Sequence, residues 1–150
     1  MKTRALVMAG MMALTVMASS RVAQAQEMQE MLVVNIPFDF VAGNMTLPAG
    51  EYSIKVTAPE RTLLLIDRKD AAASAFMNTN PVVKTEMQTE SKMIFNRYGD
   101  RYFLSEVWTA GNSRGRQLSK SRREMEMAQI AKSETQSQVT LVAELLRTNR

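Results

Sequence analysis

The amino-acid sequence predicts a mainly β protein, an antiparallel β-sandwich or small barrel with one attached α-helix near the C-terminus. Three observations lead there. Short stretches of alternating apolar and polar residues recur between residues 32 and 109, each bounded by glycine, proline or asparagine. The pair Gly99-Asp100 separates two aromatic stretches, the pattern of a tight hairpin. From residue 117 to about 132 proline and glycine are absent, and the helix formers Glu124-Met125-Glu126-Met127-Ala128 take over.

Taken in order, residues 32–41 form the first predicted strand. Val34, Ile36, Phe38 and Phe40 alternate there with Asn35, Pro37 and Asp39. Pro37 has no N–H for a ladder, so the strand belongs at an edge or is bulged at that point. Gly43-Asn44 and Leu47-Pro48-Ala49-Gly50 mark two turns. Tyr52, Ile54 and Val56 alternate with polar residues in a second strand, which Pro59-Glu60 breaks. Leu63-Leu64-Leu65-Ile66 is a continuous apolar run, which suggests a central strand covered on both faces. A polar turn at Arg68-Lys69-Asp70 precedes a short strand over 72–78, with Phe76 as its large anchor. A further short strand is placed at 82–85.

The hairpin is predicted from 92–97 and 102–109 around Tyr98-Gly99-Asp100-Arg101. Strict alternation would put Tyr102, Leu104, Glu106 and Trp108 on one face and Phe103, Ser105 and Val107 on the other. The segment holds five of the nine aromatic residues, so it should supply much of the core. A loop follows at 110–115, then the helix, with Ser121 and Glu124 spaced as a capping box. Residues 133–138 read as polar linker. Val139, Leu141, Val142, Leu145 and Leu146 fit either a strand or a short helix, and the β-branched start favours a strand pairing back into the sheet.

The first 25 residues stand apart. Lys2 and Arg4 precede an apolar run over 5–18, too short to span a bilayer comfortably, and Ala23-Gln24-Ala25 offers a small-x-small cleavage site. The expectation is a signal peptide over 1–25 and one β-rich domain over 26–150, exported to the periplasm or the extracellular space after cleavage near Ala25. Removing Lys2, Arg4 and Arg21 takes the basic count from 19 to 16 against 15 acidic residues, a net charge of +1. The basic character of the whole chain is therefore no argument for a nucleic-acid partner. No transmembrane segment is expected in the remainder.

Composition restricts the chemistry further. With no cysteine, the chain forms no disulfide, thiolate nucleophile or lipoprotein anchor. With no histidine, it builds no serine–histidine–acid triad and no histidine metal site. Carboxylate, lysine, tyrosine and serine–lysine chemistry remain, and no catalytic motif is found among them. The sequence calls for no cofactor or metal.

Three features are candidates for function. Arg114, Arg116, Lys120, Arg122 and Arg123 form a basic run with no acidic residue over ten positions, suited to an acidic envelope component or a protein partner. Its plainer reading is a solvated loop and helix start, with Lys120–Glu124 and Arg122–Glu126 spaced for local neutralisation. Tyr98, Tyr102 and Trp108 could line a sugar-binding face or simply pack the core. The carboxylates Asp39, Asp67, Asp70, Asp100 and Glu106 are the candidates for acid–base work. Glu106 is expected to be partly buried, with Arg97 or Arg101 across the hairpin as its partner.

Two segments also carry a resemblance: Val34-Asn35-Ile36-Pro37-Phe38-Asp39-Phe40 leading to Leu47-Pro48-Ala49-Gly50-Glu51-Tyr52, and the stretch from Phe95 to Trp108 around Arg97-Tyr98-Gly99-Asp100-Arg101-Tyr102. With the basic segment Ser119-Lys120-Ser121-Arg122-Arg123-Glu124, they resemble a family of small exported bacterial proteins of unknown function. The resemblance implies export and a β-rich body, and brings no activity, ligand or catalytic residue. A non-enzymatic binding domain of the periplasm or envelope is thus the leading expectation. A carboxylate-dependent hydrolase of envelope carbohydrate and a small outer-membrane barrel are the alternatives.

Overall fold

In the computed structural model, residues 31–57, 62–70, 72, 74–131 and 137–146 are described. The leader, the Pro59-Glu60 break and most of the 133–138 linker lie outside the described residues. The described residues form eleven strands and one helix; the strands make a nearly closed, barrel-like sheet with the order β3-β2-β9-β8-β11-β1-β4-β5-β6, to which β10 attaches at β9 and β7 at β10. The strands are β1 (Met31–Ile36), β2 (Phe40–Ala42), β3 (Met45–Leu47), β4 (Gly50–Thr57), β5 (Thr62–Asp67) and β6 (Ser74–Asn78). After them come β7 (Asn80–Val83), β8 (Ser91–Tyr98), β9 (Arg101–Trp108), β10 (Arg114–Gln117), helix α1 (Arg122–Ile130) and β11 (Ser137–Leu146). All pairings are antiparallel except β2 with β9. The mainly β class and the helix near the C-terminus are as the sequence predicts, and the final segment is a strand.

The inward faces follow period two. Leu32, Val34 and Ile36 of β1, Tyr52 and Ile54 of β4, Leu63 and Leu65 of β5, and Met93 and Phe95 of β8 meet in one apolar core. Phe40 sets its ring edge-on to both Tyr52 and Phe95, at centroid distances of 5.3 and 5.5 Å. Pro37 marks a corner: β1 stops at Ile36, and the chain leaves β4 to join β9 as β2. The predicted single strand over 32–41 is therefore two, divided where proline cannot donate.

Four further expectations need correction. Leu63-Leu64-Leu65-Ile66 is not covered on both faces; Leu63 and Leu65 are buried while Leu64 and Ile66 are half-exposed on the barrel's exterior. Phe76 is no anchor, since it points outward and is 67% exposed, and the inward residues of β6 are Ala75 and Met77. The helix begins at Arg122, because residues 114–117 form β10 between β7 and β9. The fourth concerns the hairpin. Gly99 makes its turn with a φ of +59°, which glycine adopts without strain.

Beyond that turn the register shifts: Phe95 faces Leu104 but Ile94 faces Glu106, leaving Ser105 as an extra residue. Its carbonyl instead accepts the Leu118 N–H at 2.8 Å. The bulge reverses the alternation, so Leu104 and Val107 both enter the core. Phe103, Glu106 and Trp108 face outward, opposite Asn96, Ile94 and Lys92.

Candidate binding surface

The outward face of β8 and β9 carries Tyr98, Trp108 and Glu106, and the basic run lies on the elements beside it. β10 pairs alongside Trp108 and β7 pairs beyond β10, while α1 packs over Tyr98 and Phe103. Trp108 is paired directly with Gly115. A Cβ at residue 115 would sit 2.6 Å from indole Cδ2 and Cε3, so the ring lies flat on a position only glycine can occupy. The indole N–H donates to Glu106 Oε2 at 2.8 Å, and Lys84 Nζ stands 4.5 Å from the ring centroid. Trp108 is 0% exposed.

Glu106 is half-buried, as expected, but its partner is the indole rather than Arg97 or Arg101. Arg97 turns away to donate to the Gly99 carbonyl at 2.8 Å and lies over the Tyr102 ring. The i,i+2 spacing puts Glu106 and Trp108 on one face, and the bulge at Ser105 turns that face outward.

Around α1 the arrangement centres on an acid that the sequence presents as a cap. Ser121 does cap the helix, accepting the Glu124 N–H at 3.2 Å. The Glu124 carboxylate, however, turns into the barrel wall and is 4% exposed. It accepts from Asn96 Nδ2 at 2.8 Å and from the Tyr98 hydroxyl at 3.5 Å. Gln138 of β11 donates to Asn96 Oδ1 at 3.3 Å, and Lys120 Nζ donates to the Tyr98 hydroxyl at 3.4 Å. A buried carboxylate is tolerated when such donors converge on it. Val41, Phe103, Ala131, Met127 and Ala128 supply the apolar part of this contact. Asn96 and Tyr98 sit two apart on a strand otherwise rich in apolar residues; a polar residue in that register was the available sign of a buried partner.

Tyr98 and Trp108 are therefore packed, and neither offers a ring face to a sugar. Of the basic run, Arg114 and Arg116 alternate with Gly115 and so lie on the face of β10 away from Trp108, with Arg116 half-buried. Lys120, Arg122 and Arg123 are exposed and gather at the start of α1. The run is thus divided into two groups. Arg122 pairs with Glu126 at 3.2 Å as the i,i+4 spacing predicts, but with 91% of its side chain exposed the pair adds little. Arg123 donates to Thr46 Oγ1 at 3.3 Å, tying the helix to β3. The predicted Lys120–Glu124 pairing is replaced, since Lys120 precedes the helix and reaches Tyr98.

The remaining carboxylates serve turns. Asp39 accepts the Ala49 N–H at 2.8 Å. Asp67 accepts from the Lys69 and Asp70 N–H groups, and Asp70 from that of Ala72. Asp100 is exposed in the hairpin turn. At the same end of the barrel the buried Tyr52 hydroxyl donates to the Pro48 carbonyl at 2.7 Å. Burial first, then the negative charges of Asp67 and Asp39, push its pKa up to about 12.

Among the described residues no group of three or more acidic side chains is placed to hold a metal ion, and no helix is long and apolar enough to cross a membrane. No protein-family model, curated protein or solved structure matches the chain.

Proposed function

We propose that this chain is an exported, non-enzymatic binding domain of the bacterial periplasm or cell envelope, released by cleavage near Ala25 and related to the small exported proteins that its two motifs resemble. Its partner carries negative charge, and the contact surface is the basic corner at the start of α1. One observation carries this reading. Lys120 and Arg123 are held by hydroxyl groups, of Tyr98 and Thr46, and among the described residues neither cation is in direct ion-pair contact with a carboxylate. Charges so positioned attract an acidic surface at long range and lose that attraction in salt.

The carboxylate-hydrolase reading is weaker, because Asp39, Asp67 and Asp70 are engaged with backbone N–H groups of turns and Glu106 with an indole. The outer-membrane reading is weaker too. Membrane barrels keep apolar residues outside and polar ones within, whereas this barrel has an apolar interior and Glu51, Lys55, Lys92 and Glu106 on its outward face.

The test is co-sedimentation of the purified protein with envelope fractions at low and high salt. Arg122→Glu combined with Arg123→Glu should abolish the salt-sensitive association while leaving the melting curve in place. Unchanged association by the folded double variant would end the proposal.

A further inference from the structure

Among the described residues, the barrel wall is incomplete between β11 and β1. β11 pairs with β8 over residues 137–143, then crosses to pair with β1 through only three residues, Leu146 to Glu144 against Met31 to Val33. Beyond Val33 the two strands part. No described strand pairs with residues 34–36 on the edge of β1 opposite β4, nor with 137–143 on the edge of β11 opposite β8. Two backbone edges thus face one another across a notch. An open groove of about 470 Å³ lies there, lined by Asn35 and Glu51 on one side, Val142 and Glu144 on the other, and Lys69 at one end.

The side chains around the notch carry a consistent sign of incompleteness. Inward-facing Val139 and Leu141 pack on the core but stay half-exposed, while Val142 is 64% exposed on the outer face. A wall closed on both edges would bury the first two.

We propose that this notch takes an extended polypeptide segment of a partner, which adds to the edge of β11 that no described strand occupies, as a strand with alternating aliphatic and basic residues. Unmet N–H and C=O groups along a strand select an extended backbone. Strand alternation then sets the side chains. Residues opposite Val139 and Leu141 point inward and must be aliphatic. The residue opposite Val142 points outward and lies diagonal to Glu144, within reach of a long side chain. Lysine or arginine fits both: its stem covers Val142 and its cation meets Glu144. Glu51 is already held by Arg68 at 2.8 Å, which leaves Glu144 as the acid to be met. This site is separate from the basic corner and does not depend on it.

The probe is a blocked hexapeptide alternating valine and lysine, titrated into the isotope-labelled protein and followed by amide NMR. Binding should shift amides of 34–36 and 139–143 and protect them from exchange. A twin peptide with N-methyl groups along one edge, and the valine–glutamate analogue, should each bind at least roughly tenfold more weakly. Glu144→Lys, an exposed substitution that leaves the melting curve unchanged, should weaken the lysine peptide by a similar factor. Equal binding of the N-methylated twin, shifts confined to the α1 corner, or self-association of the protein through the same edges without peptide capture would each overturn the proposal.

Discussion

Replacing Gly115 with alanine tests the packing of the candidate surface most directly. The added methyl would lie 2.6 Å from two indole carbons and 2.8 Å from a third, where carbon contacts want about 3.5–4.0 Å. The ring must retreat by about 1 Å, but its N–H is bonded to Glu106 and β10 is paired on both sides, with β7 and β9. Overpacking of this kind costs about 1–3 kcal/mol. At about 4 °C per kcal/mol for a chain this size, the melting temperature should fall by about 4–12 °C. Trp108 is the single tryptophan, so urea unfolding followed by its fluorescence reports on the site itself. In a Trp108→Phe background, followed by circular dichroism, the same alanine should cost clearly less. An alanine variant with an unchanged midpoint and emission maximum would refute the stacking argument.

Further outcomes are expected from the same geometry. Glu124→Ala removes the acceptor shared by Asn96 and Tyr98, costing about 1–3 kcal/mol and raising hydrogen exchange across 122–130 before the rest of the barrel opens. Phe76→Ser should change stability by no more than about 0.5 kcal/mol, whereas Met77→Ala beside it should cost about 2–5 kcal/mol; comparing their urea midpoints checks the outward setting of Phe76. For Tyr52 the pKa is raised in the folded state, so the unfolded chain loses the phenolic proton first, near 10. Its contribution is complete below that pH and disappears as pH climbs toward about 12. Unfolding midpoints between pH 9 and 12 should fall less steeply in Tyr52→Phe than in the parent protein.

Local pattern made much of the fold legible. Alternation gave the inward residues of β1, β4 and β8, Gly99-Asp100 gave the hairpin, and Ser121 gave the helix cap, each a short-range effect of backbone geometry. What escaped was set by distant pairing. Leu64 and Leu65 are chemically alike, and only β5's place as one layer of a barrel decides which faces water. Phe76 looked like an anchor because large apolar residues are usually buried, yet register with β5 puts it opposite half-exposed Leu64. The helix start moved because Arg114-Gly115-Arg116-Gln117 is needed to pair with β9, an interaction invisible within the segment. The basic run was visible as a run, but its division between β10 and the α1 corner was not. Glu124 was read from its spacing to Ser121, and its burial depends on Asn96, 28 positions earlier.

The unpaired Ser105 has a consequence for how this hairpin tolerates change. One surplus residue lets a single strand supply aliphatic side chains to the lumen at Leu104 and Val107, yet send Phe103, Glu106 and Trp108 to the exterior layer. Removing that serine would leave a regular ladder with the same two sets in place, whereas losing the bulge with the serine retained would exchange them, sending the indole toward the lumen and Val107 outward. Deleting Ser105 should thus be tolerated better than deleting Leu104 or inserting a residue after Glu106, either of which shifts the paired register.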